Sequence, residues 1–169
     1  AKPLISQLGG ECGQEALTAL KSFKGDIKGD VAAALAEKLA SGNDKPAIKD
    51  LMDLASARRM KNVAPTVFSM INSSDKEISK LATASLSNFT GVGDIAKVGG
   101  LLDAARDKDV IESYQGALES AIHTLSPAEQ YSKVSGLMKA ARNVANFYPV
   151  LASTGTDEAV ADLAKAWNA

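Results

Sequence analysis

Cysteine, histidine and tryptophan occur once each in these 169 residues, as Cys12, His123 and Trp167, and aromatic residues make up only 5% of the chain. One thiol excludes an internal disulfide framework and leaves the compartment open, since helical proteins on either side of a membrane can do without bridges. No metal site, cofactor motif or catalytic set is signalled around the lone histidine and cysteine. Arginine is scarce as well, four of the 19 basic residues, at Arg58, Arg59, Arg106 and Arg142. Against 20 acidic residues the net charge is −1, which argues against a surface built to neutralise a phosphate backbone. The few aromatics argue against a stacking platform for single strands, so nucleic acid is not an expected partner. Long apolar runs are missing, so no membrane span is expected, and no charged-then-apolar leader opens the chain. The first residues, "AKPLISQLGG", read as the middle of an amphipathic pattern, and the expectation is a piece of a longer protein.

Sustained period-2 alternation and Asn-Gly or Asp-Gly hairpin pairs are also lacking. Hydrophobic residues, 46% of the chain, instead recur at i, i+3, i+4 and i+7, the pattern of an all-α protein with a real core. Helices are expected at roughly 13–24, 28–41, 46–58, 61–72, 75–90, 94–106, 109–125, 127–142, 144–153 and 156–168. Ser126-Pro127-Ala128-Glu129 is a capping box with proline at the first helical position, and Ser74 to Glu77 and Asp109 to Glu112 share its spacing. Gly25, Gly42, Gly91 and Gly155 each follow a helical pattern and can supply a left-handed stop. Pro149 interrupts the helix expected at 144–153.

The chain repeats itself. "KVGGLLDAAR" begins at Lys97 and "KVSGLMKAAR" at Lys133, 36 residues later, with seven of ten letters identical. Each heads a helix of one kind, A. A second kind, B, repeats with a shift of 32: Ile78, Ala82 and Leu86 after Asp75, then Val110, Tyr114 and Leu118 after Asp107. The unit is thus an A helix, a polar turn carrying Asp, and a B helix, and one such hairpin is too small to bury its own apolar face. On this register each copy of the decapeptide meets the same neighbours, with Leu101 and Leu137 in the core. Gly100 and Gly136 then mark close helix approaches, and Arg106 and Arg142 complement the helix dipole.

"DKEISKLATASLSNF", "DKDVIESYQGALESAI" and "LASTGTDEAVADLAKAW" resemble HEAT-like repeats of the armadillo class, over most of residues 26–169. The arginine usual after the first apolar residue of the B helix is Ser79 or Ile111 here. The resemblance implies an α-α superhelix, a right-handed solenoid of antiparallel helix pairs with about five repeats over residues 1–169. It also implies a concave surface lined by B helices that binds macromolecules rather than catalyses.

His123 falls on the outer face of its helix beside Glu119, and is expected to be a solvated, glutamate-paired residue rather than a proton carrier or metal ligand. Cys12 precedes a helix but has no base in view, so it is expected to be an incidental small residue rather than a nucleophile. Asp26/Asp30 and Asp50/Asp53 read as ordinary polar-face pairs, and the basic "ARRMK" from Ala57 to Lys61 as dipole complementarity rather than a contact for an acidic partner. The outward stripe of the B helices does change between copies, from Lys76, Lys80, Thr83 and Ser87 to Lys108, Glu112, Gln115 and Glu119. A constant support with a varied surface is the pattern of a binding scaffold, so these eight residues are the candidate site for a protein or peptide.

At the end of the chain, Val160, Leu163, Ala164 and Trp167 form a stripe expected to dock on the preceding unit, with alanines at 159, 161, 164 and 166 leaving the far side small. Self-association through this helix, or a continuation of the chain, follows from that placement. The expected function is therefore non-catalytic binding or scaffolding. The alternatives are an accessory repeat domain of a larger enzyme, such as a secreted bacterial hydrolase, or an enzyme built on the repeats themselves, like the helical-repeat glycosylases and the HEAT-like bilin lyases. The charge balance and the single Cys and His speak against the last of these.

Overall fold

The structure is a computed structural model and describes residues 1–42 and 44–168. Short oxygen-bearing side chains set where its helices begin. Asp44 accepts the N–H of Ala47, Asp75 those of Glu77 and Ile78, Asp107 those of Asp109 and Val110, Ser126 that of Glu129, and Thr156 that of Ala159. Each satisfies amides that the first helical turn leaves without partners. The three aspartates head "DKPAIK", "DKEISK" and "DKDVIE", so the B-type start recurs a third time, upstream of the two copies visible in the apolar pattern. At Ser126 the capping box closes as expected, with Glu129 accepting from the Ser126 N–H at 2.9 Å. The other two expected boxes are displaced: the caps are Asp75 and Asp107, one residue after and two residues before the expected heads, and each accepts two amides of the first turn.

Among the described residues there are eleven α-helices and no strand: α1 (Lys2–Ile5), α2 (Gly13–Ser22), α3 (Lys28–Ser41), α4 (Lys45–Ala57), α5 (Ala64–Ile71), α6 (Lys76–Ser85), α7 (Ile95–Ala104), α8 (Lys108–Ile122), α9 (Pro127–Ala140), α10 (Tyr148–Ser153) and α11 (Asp157–Trp167). The chain is all-α. None of these helices is long and apolar enough to cross a membrane. Three expected helices are shorter because their ends tighten into 3-10 turns: α5 is preceded by Lys61–Val63, α6 gives way to Leu86–Asn88, and α10 is preceded by Val144–Phe147, with Pro149 in its first turn. Gly42 and Gly155 stop α3 and α10 with positive φ, whereas Gly91 is extended and heads the next turn. At the end of α4 the left-handed residue is Arg59, φ 52°, with the Met60 N–H reaching the Ala55 carbonyl at 2.8 Å and buried Met60 closing the motif from below.

The chain divides into two compact units, Ala1–Phe89 and Thr90–Ala169. In the first, α3 packs on α4 and α5 on α6, and each helix also touches the helix two along: α1 with α3, α2 with α4, α3 with α5, α4 with α6. Leu20, Val31, Leu35, Ile48, Leu51, Leu54, Val67 and Phe89 fill the space between. Polar links join successive pairs at a one-repeat separation. Lys21 Nζ meets Asp53 at 2.8 Å, Lys45 Nζ meets Asp75 at 2.8 Å, and Asn62 donates to the Lys28 carbonyl at 2.9 Å. Arg58 takes the largest share, its guanidinium donating to the carbonyls of Leu20, Phe23 and Gly25 at 2.9, 2.7 and 2.9 Å. It thus serves the end of α2 rather than that of its own helix, which the dipole argument alone assigned to it.

In the second unit α7 pairs with α8 and touches α9, while α10 packs on α8, α9 and α11. Here the decapeptide register needs correction. Val98 and Leu102 are buried in the first copy and Val134 in the second, but Leu101 and Leu137 are only half-buried. The copies do not meet the same neighbours; they meet each other. A Cβ on Gly99 would lie 2.8 Å from both methyl carbons of Leu137, whereas nothing stands within 4 Å of one on Gly100 or Gly136. The close approach is therefore at Gly99, where Leu137 sits over the helix backbone. The one non-conservative difference between the copies, Asp103 against Lys139, is used as well: Asp103 Oδ1 accepts the N–H groups of Arg142 and Asn143, each at 2.8 Å. Arg106 closes its own helix by donating to the carbonyls of Asp103, Ala104 and Ala105, at 3.0, 3.2 and 3.0 Å.

The last helix also turns differently from the expected stripe. Ala159 is buried and Leu163 half-buried, but Val160 is 66% and Trp167 91% exposed, so the Val160–Ala164–Trp167 line faces outward. The inward contact is partly polar, with the Tyr131 hydroxyl donating to Asp162 at 2.8 Å, and this rotates the stripe away from the core.

Two mutational outcomes follow from the corrected register. Gly100→Ala and Gly136→Ala should each raise stability by about 0.5–1 kcal/mol, the helix propensity gained in open space, while Gly99→Ala should gain less because Leu137 must move. Leu102→Ala should cost about 2–5 kcal/mol, and Leu101→Ala clearly less. Urea denaturation of the five variants reads both; equal losses at 101 and 102 would restore the original register.

Candidate binding groove on the first helical unit

Of the eight residues expected to line a partner surface, four lie in each compact unit, and they differ in what they are doing. In the second, Lys108 and Glu112 pair with each other at 3.7 Å along α8, and Gln115 donates to the Asn146 carbonyl at 2.8 Å. Glu119 is half-buried. Gln115 is thus a structural link and not an outward contact, and Lys108 and Glu112 neutralise one another. In the first, Thr83 is 8% exposed and belongs to the core, because α6 carries its buried face as Ile78, Ala82 and Thr83 rather than as Ile78, Ala82 and Leu86 alone. Ser87 falls in the 3-10 turn beyond α6 and is half-buried. Lys76 and Lys80 remain exposed.

Lys80 opens onto a groove of about 450 Å³ where α6 packs on α4. Its base is apolar, Ile48 and Ile78, both buried, with half-buried Leu81 and exposed Ala84 continuing it along α6. Lysines stand on both sides, Lys45 and Lys49 from α4 and Lys80 from α6. The i, i+4 lysine pair that Lys76 and Lys80 make on α6 is matched on α4 by Lys45 and Lys49, 31 residues earlier, each pair following its capping aspartate. That repetition was the available signal for the α4 wall; the weaker apolar likeness of this earlier B helix concealed it.

The lysines are not equivalent. Lys45 Nζ lies 2.8 Å from Asp75 Oδ2 and 2.6 Å from Glu77 Oε2, and these hydrogen bonds, the Asp75 one first, push its pKa up to about 12. The same bond holds the Asp75 carboxyl below the usual carboxylate range, helped by the Ile78 and Glu77 amides it caps. Lys45 is a strut. Lys49 and Lys80 have no ion-pair partner among the described residues, so the groove has two uncommitted ammonium groups beside an apolar base.

A second groove, about 550 Å³, opens in the other unit between α9, α10 and α11, with Met138, Val144 and Tyr148 on its walls. Two of its polar groups, Tyr131 and Asp162, are engaged with one another. The Asp162 carboxylate raises the Tyr131 pKa through their hydrogen bond and is itself held low by Tyr131 and Lys165. The other candidate residues have local duties. His123 is exposed, with Nδ1 2.9 Å from the Ser120 carbonyl of its own helix and not paired with Glu119. Cys12 is exposed at the start of α2. Asp26 accepts from the Lys28 N–H, Asp30 pairs with Lys2, Asp50 accepts from the Gly9 N–H at 2.8 Å, and Asp53 pairs with Lys21. Among the described residues no group of three metal-ligating side chains comes together. No family model, curated protein or solved structure matches this chain.

The Asp75 clamp has a pH signature. A carboxyl whose folded pKa is depressed contributes stability that is present above its unfolded value, about 4, and is lost as pH falls through the folded value. Asp75→Asn keeps a capping oxygen but removes the charge, so it should lower the urea midpoint at pH 7 and lose that deficit as pH falls below about 4. A deficit that persists at low pH would show that the ion pair is not its source.

Proposed function

We propose that this chain is a non-catalytic protein-binding domain built of HEAT-like helix pairs, and that the groove between the B-type helices α4 and α6 is where it holds a peptide segment of its partner. Packing inside each unit supports the repeat reading: helices pair as α3 with α4, α5 with α6 and α7 with α8, and members of successive pairs also touch, which is how stacked α-hairpins share a core. One observation carries the binding reading, the apolar base of Ile48, Ile78, Leu81 and Ala84 flanked by Lys49 and Lys80. Binding surfaces combine an apolar anchor site with a few polar groups that fix orientation, and this groove has both.

A selection of random-sequence peptides against the whole chain, followed by amide chemical-shift mapping of the best binders, tests the proposal. The largest shifts are expected at Lys49, Lys80, Leu81 and Ala84, and Cys12→Ser and His123→Ala should leave affinity unchanged. Shifts centred on α9 and α11 would move the site to the second unit, and failure to select any binder would sink the reading.

A further inference from the structure

We infer that the partner segment is acidic and amphipathic, an apolar side chain seated on the Leu81–Ala84 side of the groove with carboxylate side chains on either flank that reach Lys49 and Lys80. This rests on the groove being the binding site. Covering an ammonium group with an uncharged partner removes its water and returns only hydrogen bonds to neutral oxygens, and a basic partner adds repulsion; an anionic one compensates best. The two uncommitted cations belong to different helices, Lys49 to α4 and Lys80 to α6, with the apolar base between the walls. One carboxylate at a chain terminus would answer one wall and leave the other desolvated, so the complement is a pair of acidic side chains with an apolar residue between them.

Position within the groove follows from the committed groups. Lys45 is closed by Asp75 and Glu77, so the end of the groove at the start of α6 offers its lysine already paired. Partner carboxylates gain more further along α6, toward Lys80 and Ala84. The charge is local. The chain as a whole is at −1, so it has no broad positive field to hold a polyanion that lacks an apolar anchor.

Fluorescence anisotropy with the full chain and five labelled probes decides the matter: a peptide with leucine between glutamates, the same peptide with glutamine for glutamate, the same with lysine for glutamate, polyglutamate, and a single-stranded oligonucleotide. The glutamate–leucine peptide should bind about tenfold or more tighter than each of the others, and weaken as salt is raised. Lys49→Glu with Lys80→Glu should erase that advantage and favour a lysine–leucine peptide instead. Both substitutions are at exposed positions, and far-ultraviolet circular dichroism checks that the variant is folded. If the glutamine peptide binds as well as the glutamate one and still shifts the Leu81 and Ala84 amides, the groove stands as a binding site and the acidic preference is overturned. Equal binding of polyglutamate or the oligonucleotide would make it a simple polyanion site. Were no peptide to shift those amides, the groove itself would be wrong.

Discussion

A carboxylate that accepts backbone amides at the head of a B helix is the constraint on which the rest of this molecule depends. At Asp44, Asp75 and Asp107 it fixes the residue at which the chain enters the helix, and so the angular phase of every side chain that follows. Constant phase places Lys49 and Lys80, each five residues after its capping aspartate, on the rim of the groove beside the buried Ile48 and Ile78. Asp75 goes further, because its second oxygen receives Lys45 from the preceding B helix. The start of one repeat is thereby tied to the start of the next, and the groove wall gains a lysine whose charge is already spent.

How much of this was legible in the sequence depends on which physical effect sets each feature. Helices were legible because capping and 3.6-residue periodicity are local: ten of the eleven could be placed, and the exception, α1, spans only four residues. Burial was less legible because it is decided by neighbours. Leu101 and Leu102 are adjacent leucines in one helix, and nothing within the helix says which of them faces α8. Thr83 looks polar in the letters and is buried in the fold. Of the eight candidate contact residues, Lys76, Lys80, Lys108 and Glu112 stand exposed as expected and only Lys80 lines the groove, while Lys45 and Lys49 come from a helix whose likeness to the others is hidden outside its first turn.

The decapeptide shows why likeness of sequence is not equivalence of place. Two copies stacked in one unit cannot have the same surroundings, since each is part of the other's. Gly99 in the first is the bed for Leu137 of the second, and Asp103 in the first holds the two amides that end the second, while the second copy has Ser135 and Lys139 at those positions. Identity is kept where each helix needs the same internal character, as at Val98 and Val134, both buried. Difference falls where one copy leans on the other.

The two adjacent arginines at the end of α4 have opposite situations. Arg58 has both terminal nitrogens committed to three carbonyls of the preceding repeat, a fork that a lysine could not reproduce. Arg59 sits exposed on a left-handed backbone at the apex of the turn. A protease that cuts after arginine must draw the side chain into its own pocket, and only one of these two can be drawn out without dismantling the fold. Even so, the bond following Arg59 stays shut in the folded chain, because its other residue, Met60, is buried and its N–H is bonded to the Ala55 carbonyl at 2.8 Å.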